Sequence, residues 1–332
     1  MNFKERKGLA QEDRRENPTD GLTTAAEPNF VASESRDPFV EYLKTMGGKK
    51  IYLKPYWGNS GDELILMGIR LIMRQLGLEL VVNPKIADVI LWPGGNPTMW
   101  PVNLAGWRDC WQQWPAAEFV VGPAGFQGHA LPWRDLLKQS PAKIGGLFAR
   151  DSVSHENLRG LNLPASVTIG LAHDPALYLR NSQWVADHRE ACTNEYVLAA
   201  FRTDLESALR RKQPSHRLQR WPVGTAYEFY NRRQTSRHYG ARYETVRRIV
   251  GKDATILRHD ASQMSFNSFV ECISRASEVH TDRLHCMILA LLFGKPVFAY
   301  PTSYAKLEDI YHHSIKSWAA VTLVPDQHPP GH

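Results

Sequence analysis

Short apolar runs, bounded by breakers and separated by helix-length segments, recur in two series along this chain. That alternation restricts the fold more than any other feature. In the first series "KIYLKPY", "LELVV", "ADVILWP", "AEFVVGPAG" and "AKIGGLFAR" read as strands, and "DELILMGIRLIMRQLG" has helical spacing with Gly77 as its stop. The pattern restarts after "HDPALYL". "EYVLAAF", "ATILRH", "EVHT" and "PVFAY" are strands; "SFNSFVECISRAS" and "RLHCMILALLFG" are helices between them. Strand, helix, strand in repetition demands parallel strands with crossovers on both faces. The fold class expected is therefore α/β, with two doubly wound Rossmann-like domains facing a cleft. Ligands of open α/β sheets sit at the carboxyl ends of the strands, so the cleft is where function is expected.

The 332 residues suit two domains of roughly 150 each. Residues 1–36 are polar without apolar periodicity and read as a disordered leader. The first α/β domain is expected over 37–185 and the second over 190–304, with a basic insertion at 210–248. A C-terminal helix and tail fill 305–332. Nothing at the start has the apolar core of a secretory signal, and no run reaches the ~18 apolar residues of a membrane span. The chain is expected in the cytoplasm, either free or peripheral at the inner membrane face. Its four cysteines (Cys110, Cys192, Cys272, Cys286) form no CxxC pair, so reduced thiols are expected rather than a disulfide or zinc framework. No residue cluster has metal-ligand spacing, and no metal is expected.

A formal charge of +6 favours anionic partners. Basic residues gather in 210–248, where eleven Lys or Arg stand against two Glu, interleaved with Trp221, Tyr227, Phe229, Tyr230 and Tyr239. Such a stretch grips nucleic acid, stacks sugars, holds anionic carriers, or is simply a solvated insertion. Its place after Arg202 favours a loop that covers the cleft or receives an acceptor; nucleic acid is not expected.

Several stretches carry chemistry. In "YWGNSGDELILMG" a glycine-bearing turn opens a helix, so Asn59 and Gly61 offer backbone N–H groups to an anion, or Asn59 and Asp62 simply cap the helix. It is neither a Walker loop nor a GxGxxG fingerprint. "LWPGGNPTMW" ends a strand; Gly94, Gly95 and Asn96 allow either close approach to a ligand or a tight turn. Arg150 and Asp151 close one strand and open a helix, where Asp151 reads as a cap. His173 and Asp174 follow another strand. Arg202 ends the first strand of the second domain, where its guanidinium suits a phosphate or carboxylate.

"HTDRLHCMILALLFGKPVFAY", residues 280–300, is the most telling stretch. The helix after Asp282 and Arg283 is apolar nearly all round, hence buried. Its first turn combines the positive end of the dipole with Arg283, and His285 lies within that turn. Burial behind and charge in front make a rigid anion site.

Together "GNSGDELI", "PGGN", "ARDSVSHENLRG", "HDPAL", "FRTD" and "TDRLHCMILALLFGKPVFA" resemble, in order, the polysaccharide pyruvyl transferase family. The closing segment "SYAKLEDIYHH" is similar too. Pro93 stands where members often carry a third glycine, and Cys286 where a small glycine is common. The resemblance implies a GT-B-like fold with phosphoenolpyruvate held in the cleft as donor substrate and no cofactor. It implies transfer of pyruvate as a ketal across two hydroxyls of one sugar, on a glycan or lipid-linked oligosaccharide acceptor. The substrate-binding set is then Asn59, Gly61, Gly94, Gly95, Asn96, Arg202, Asp282, Arg283, Leu284 and Lys295. His285 is the first acid/base candidate, since an imidazole titrates near neutrality and Asp282 offsets the arginine beside it; His173 and Asp62 are the alternatives. Two other functions stay open: a GT-B-type glycosyltransferase using a nucleotide sugar, and a non-catalytic polyanion-binding protein.

Overall fold

The computed structural model describes residues 37–55, 59–99, 101–127, 133–139, 144–202, 240–259, 265–302 and 306–325. The leader 1–36, the larger part of the basic insertion (203–239) and the start of the closing segment (303–305) lie outside the described residues.

Two parallel sheets form, as the alternation demands. The first holds β1 (Lys50–Leu53), β2 (Glu79–Leu80), β3 (Val89–Trp92), β4 (Glu118–Ala124), β5 (Ile144–Ala149) and β6 (Thr168–Leu171), in the order β2-β1-β3-β4-β5-β6. The second holds β7 (Tyr196–Ala200), β8 (Ile256–Arg258), β9 (Ala276–Thr281), β10 (Val297–Ala299) and β11 (Thr322–Leu323), ordered β11-β10-β9-β7-β8. In each sheet the chain lays its second strand on one side of the first and its third on the other. The order therefore reverses between β1 and β3, and again between β7 and β9. Crevices open at such reversals, and the stretches flanking Asn59, Asn96, Arg202 and Arg283 lie at these strand ends. "LELVV" yields only a two-residue edge strand, because Leu80 and Val82 find no cover and stay 40% and 95% exposed.

Alternation along each strand feeds two cores per sheet. Ile90 and Trp92 of β3 join Phe119, Val121 and Leu147 on one face, while Val89 and Leu91 join Val120 and Phe148 on the other. In the second sheet Leu198 and Ala200 face a core with Val279 and Val297, and Val197 and Ala199 face a smaller one with Phe201 and Tyr300.

The helix α2 (Ser60–Gln75) belongs to both halves. Leu64, Met67 and Leu71 follow i, i+3, i+7 spacing and pack in the core of the second sheet. Ile65, Ile69, Ile72 and Met73, on its other flank, pack in the core of the first. At its crossing with the 3₁₀ segment Pro175–Leu179, a side chain on Gly68 would run into the Pro175 carbonyl, so only glycine permits this approach.

The chain's closing segment returns to the first half. After α10 (Lys306–Ile310) a π turn, Tyr311–Ile315, continues the path. Asp309 accepts from the backbone N–H of Ser152 at 2.6 Å, at the start of α5 (Ser152–Arg159), and Ser314 Oγ lies 2.9 Å from His173 Nδ1. Among the described residues no helix is long and apolar enough to cross a membrane.

Candidate functional site

The second sheet supplies the cationic groups. Ala200 of β7 pairs with Thr281 of β9, which places Arg202 and Arg283 just past two adjacent strand ends. Thr281 Oγ1 donates to the Ala200 carbonyl at 2.7 Å and accepts from the Arg283 N–H at 2.9 Å, clamping the two ends together. Arg283 is buried and stands as N-cap of α9 (Leu284–Leu292), where no side chain caps the first turn. A buried helix start without a capping side chain, beside a guanidinium, favours an anion on both counts.

Asp282 is held between neighbouring elements. Its fully buried carboxylate accepts from the Arg202 backbone N–H at 2.7 Å and pairs with Arg242 of the helix over 240–250 (α7). Arg242 also donates to the Pro301 carbonyl at 2.8 Å and lies against the rings of Phe201 and Tyr300. Asp282 is thus a brace between strand ends, with one carboxylate oxygen on the Arg202 N–H and the other on Arg242. Burial raises its pKa, and Arg242 pulls the other way. Arg242, a member of the basic stretch, serves here as an internal brace instead of a solvated charge.

His285 meets the first half of the molecule. Its ring packs on Gly61 in the first turn of α2, so closely that any Cβ on Gly61 would overlap it. Nε2 has no hydrogen bond in its buried position and lies 3.5 Å from Asp174 Oδ2. That same oxygen accepts from Arg150 Nη1 at 2.6 Å, and Arg150 Nη2 donates to Asn96 Oδ1 at 2.9 Å. Asp174 Oδ1 accepts from the Ala176 N–H at 3.0 Å. Burial alone would raise the Asp174 pKa, but the charges of His285 and Arg150 outweigh it and hold the carboxyl well below the usual range. The carboxylate therefore stays ionised beside the imidazole and orients it.

Two glycines on one face of α2 create this meeting. Gly61 and Gly68 are seven residues apart, two helical turns, so they share a stripe. The first receives the His285 ring and the second the Pro175 backbone, which follows Asp174 directly. Asp37 fixes the same segment from behind: Oδ2 accepts from the His173 N–H at 3.0 Å and from Tyr178 Oη at 3.1 Å.

Other expected residues have partners of their own. Asn59 Oδ1 takes the Gly61 N–H at 2.8 Å and Asp62 Oδ2 takes the Asn59 N–H at 2.8 Å, a reciprocal capping box. The Gly61 donor is therefore occupied, and Asp62 caps the helix. Gly94 and Gly95 have φ of 133° and 82°, and Gly94 makes room for the Pro123 carbonyl at the end of β4, so their freedom serves backbone packing. Asn96 holds Arg150. The His173 imidazole turns to Ser314 and His313 of the closing segment. Leu284 is sealed in the apolar core. Lys295 precedes β10, at the sheet edge opposite Arg283, and its Nζ donates to the Thr193 carbonyl at 2.6 Å and to Asn194 Oδ1 at 3.2 Å. Brought together are Asn96, Arg150, Asp174 and His285, with Arg283 two residues before His285 and Arg202 at the adjoining strand end. Asp174 and Arg150 are absent from the expected set. The one local signal for Asp174 is the proline after it, which marks a cap whose second oxygen is left for a tertiary partner.

No curated protein matches the chain in sequence. An uncharacterized protein from Klebsiella pneumoniae subsp. pneumoniae NTUH-K2044 has a similar structure: TM-score 0.54 at 20% identity, covering 83% of this chain and 93% of that one. Two structures are less similar, each at 12% identity. Staphylococcus aureus MnaA with UDP gives a TM-score of 0.38 over 80% of this chain and 87% of that chain. UDP-GlcNAc 2-epimerase from Neisseria meningitidis, bound to UDP-GlcNAc, gives 0.35 over 79% and 77%. A family model described as polysaccharide pyruvyl transferase matches residues 59–304, from the N-cap of α2 to just beyond β10, and the chain belongs to that family.

Proposed function

We propose that the chain moves the pyruvyl group of phosphoenolpyruvate onto two hydroxyls of one sugar in a glycan, forming a cyclic ketal and releasing phosphate. The single observation that carries this reading is the His285–Asp174–Arg150 cluster, with His285 two residues after the buried Arg283. A donor with phosphate and carboxylate on one small frame needs several cations and a proton source held close together. Arg283, Arg202 and the uncapped start of α9 answer the first need. His285, oriented by Asp174, answers the second.

In the proposed sequence protonated His285 delivers its proton to the methylene carbon, which becomes the methyl group. Positive charge develops at the adjacent carbon bearing the phosphate ester. One sugar hydroxyl adds there and its proton returns to His285. The carbon–oxygen bond to phosphate then breaks, the second hydroxyl closes the ring, and its proton leaves with the phosphate. Asp174, 3.5 Å from Nε2, holds the ring in place through the sequence.

The test is phosphate release from purified protein given phosphoenolpyruvate and a panel of glycans, with the product mass read in parallel. A gain of about 70 mass units, pyruvate less water, is expected on one glycan class. Turnover only with a nucleotide sugar would replace this reading by glycosyl transfer.

A further inference from the structure

At the far end of α9 from His285 lies a second cationic feature. A cavity of about 600 Å³ opens where β10 begins, lined by Arg180, Asn181, Arg189, Gly294, Lys295 and Trp318 among others, with no Asp or Glu in its described wall. Its cations are held in place. The Arg180 guanidinium lies 4.4 Å from the Trp318 ring centre, and Arg189 Nε donates to the Leu292 carbonyl at 2.9 Å. Lys295 is 7% exposed, and its Nζ is anchored by the Thr193 carbonyl and Asn194 Oδ1.

Neither Lys295 nor Arg189 meets a carboxylate among the described residues. A buried ammonium bound only to neutral oxygens is poorly compensated, since burial disfavours charge unless an opposite charge is supplied. Two of its three protons are accounted for by the neutral acceptors. Neutral contacts would serve a structural tie equally well from an uncharged side chain. A fixed ammonium and two fixed guanidinium groups around one opening instead match a tetrahedral or planar oxyanion.

We propose that this cavity is a second anion site, taking a phosphate or carboxylate group carried on a small molecule or a saccharide. Its ligand sits across the sheet from the donor cleft, with the nine residues of α9, roughly 13 Å, between them. The proposal does not depend on what the cleft binds.

The experiment follows thermal midpoints of the full chain carrying Arg283→Ala, which removes the buried one of the two cleft guanidinium groups. Inorganic phosphate, glucose 6-phosphate and glucuronate are titrated against sodium chloride at matched ionic strength. At least one oxyanion is expected to raise the midpoint saturably where chloride does not, and adding Arg189→Gln or Lys295→Met is expected to raise the half-saturating concentration ten-fold or more. Arg189 is exposed, so its variant reports even where the buried lysine change lowers folding yield. A lower half-saturation for glucose 6-phosphate than for inorganic phosphate assigns the anion to a phosphorylated saccharide, the reverse to free phosphate, and saturation by glucuronate alone to a carboxylated sugar. The proposal is overturned if no oxyanion acts beyond chloride, or if the Arg189→Gln chain titrates unchanged.

Discussion

His285 Nε2 lies 3.5 Å from Asp174 Oδ2, an oxygen that Arg150 already holds at 2.6 Å. The imidazole therefore shares a carboxylate with a guanidinium, and the two partners of Asp174 separate in their consequences. His285→Gln should lower turnover by 10²–10⁴-fold, the usual range for a lost acid/base, with little loss of stability. Asp174→Ala leaves the Arg150 charge buried without its partner and should cost about 3–5 kcal/mol of stability as well as turnover. Urea unfolding beside steady-state kinetics distinguishes the two; equal destabilisation by both would deny the separation.

Arg283 stands at the uncapped start of α9. Arg283→Ala should weaken phosphoenolpyruvate binding by about 10–10²-fold in calorimetry, because a charge-assisted pair contributes about 1.5–3 kcal/mol. Unchanged donor affinity would remove the donor site from this end of the helix.

Gly61 admits the His285 ring. Gly61→Ala should displace it and cost about 1–3 kcal/mol from overpacking. The kinetic signature is a fall in kcat with donor affinity nearly retained. Loss of donor affinity with kcat intact would place the strain elsewhere.

Arg242 spans Asp282 and the Pro301 carbonyl with one fork. A lysine cannot bridge both, so Arg242→Lys should already weaken donor binding through Arg202, whose N–H is held by Asp282. Arg242→Ala should cost about 3–5 kcal/mol by leaving Asp282 buried alone. Donor titration and unfolding of both variants check this; a lysine variant that binds donor like the parent contradicts it.

His280 is wholly buried between Tyr300, Glu278 and the face of Phe298. Burial holds its pKa below the ordinary value, against the pull of Glu278. The unfolded chain then binds the proton first as pH falls, so this stability is whole above about 6.5 and declines below it. The slope is at most about 1.4 kcal/mol per pH unit. Urea midpoints at pH 7.5 and 5.5 should differ less in His280→Gln than in the parent; an equal or larger difference would show that other groups set the acid sensitivity.

Much of the architecture is legible in the chain because buried parallel strands are near-continuous apolar runs, as in "VILW" and "YVLAA". The start of α9 is legible for a similar reason: a helix apolar all round has only its ends to offer, and Arg283 and His285 occupy one of them. Asp174 is not legible, since its partners lie 24 and 111 residues away and meet it through the crossing at Gly68. Asp282 looks like a site residue because local charge reads as exposed, whereas a second arginine forty residues upstream seals it. Lys295 illustrates a different loss. Its place before β10 rather than after it marks the wrong edge of the sheet.

The double membership of α2 has a mechanical consequence. Hinge opening between the sheets would strip Leu64, Met67 and Leu71 from the second core while Ile65, Ile69 and Ile72 anchor the same helix in the first. Each such side chain costs about 1.5–3 kcal/mol to expose. Wide swinging of the halves is therefore resisted, and reactants must enter a gap whose width is set before they arrive.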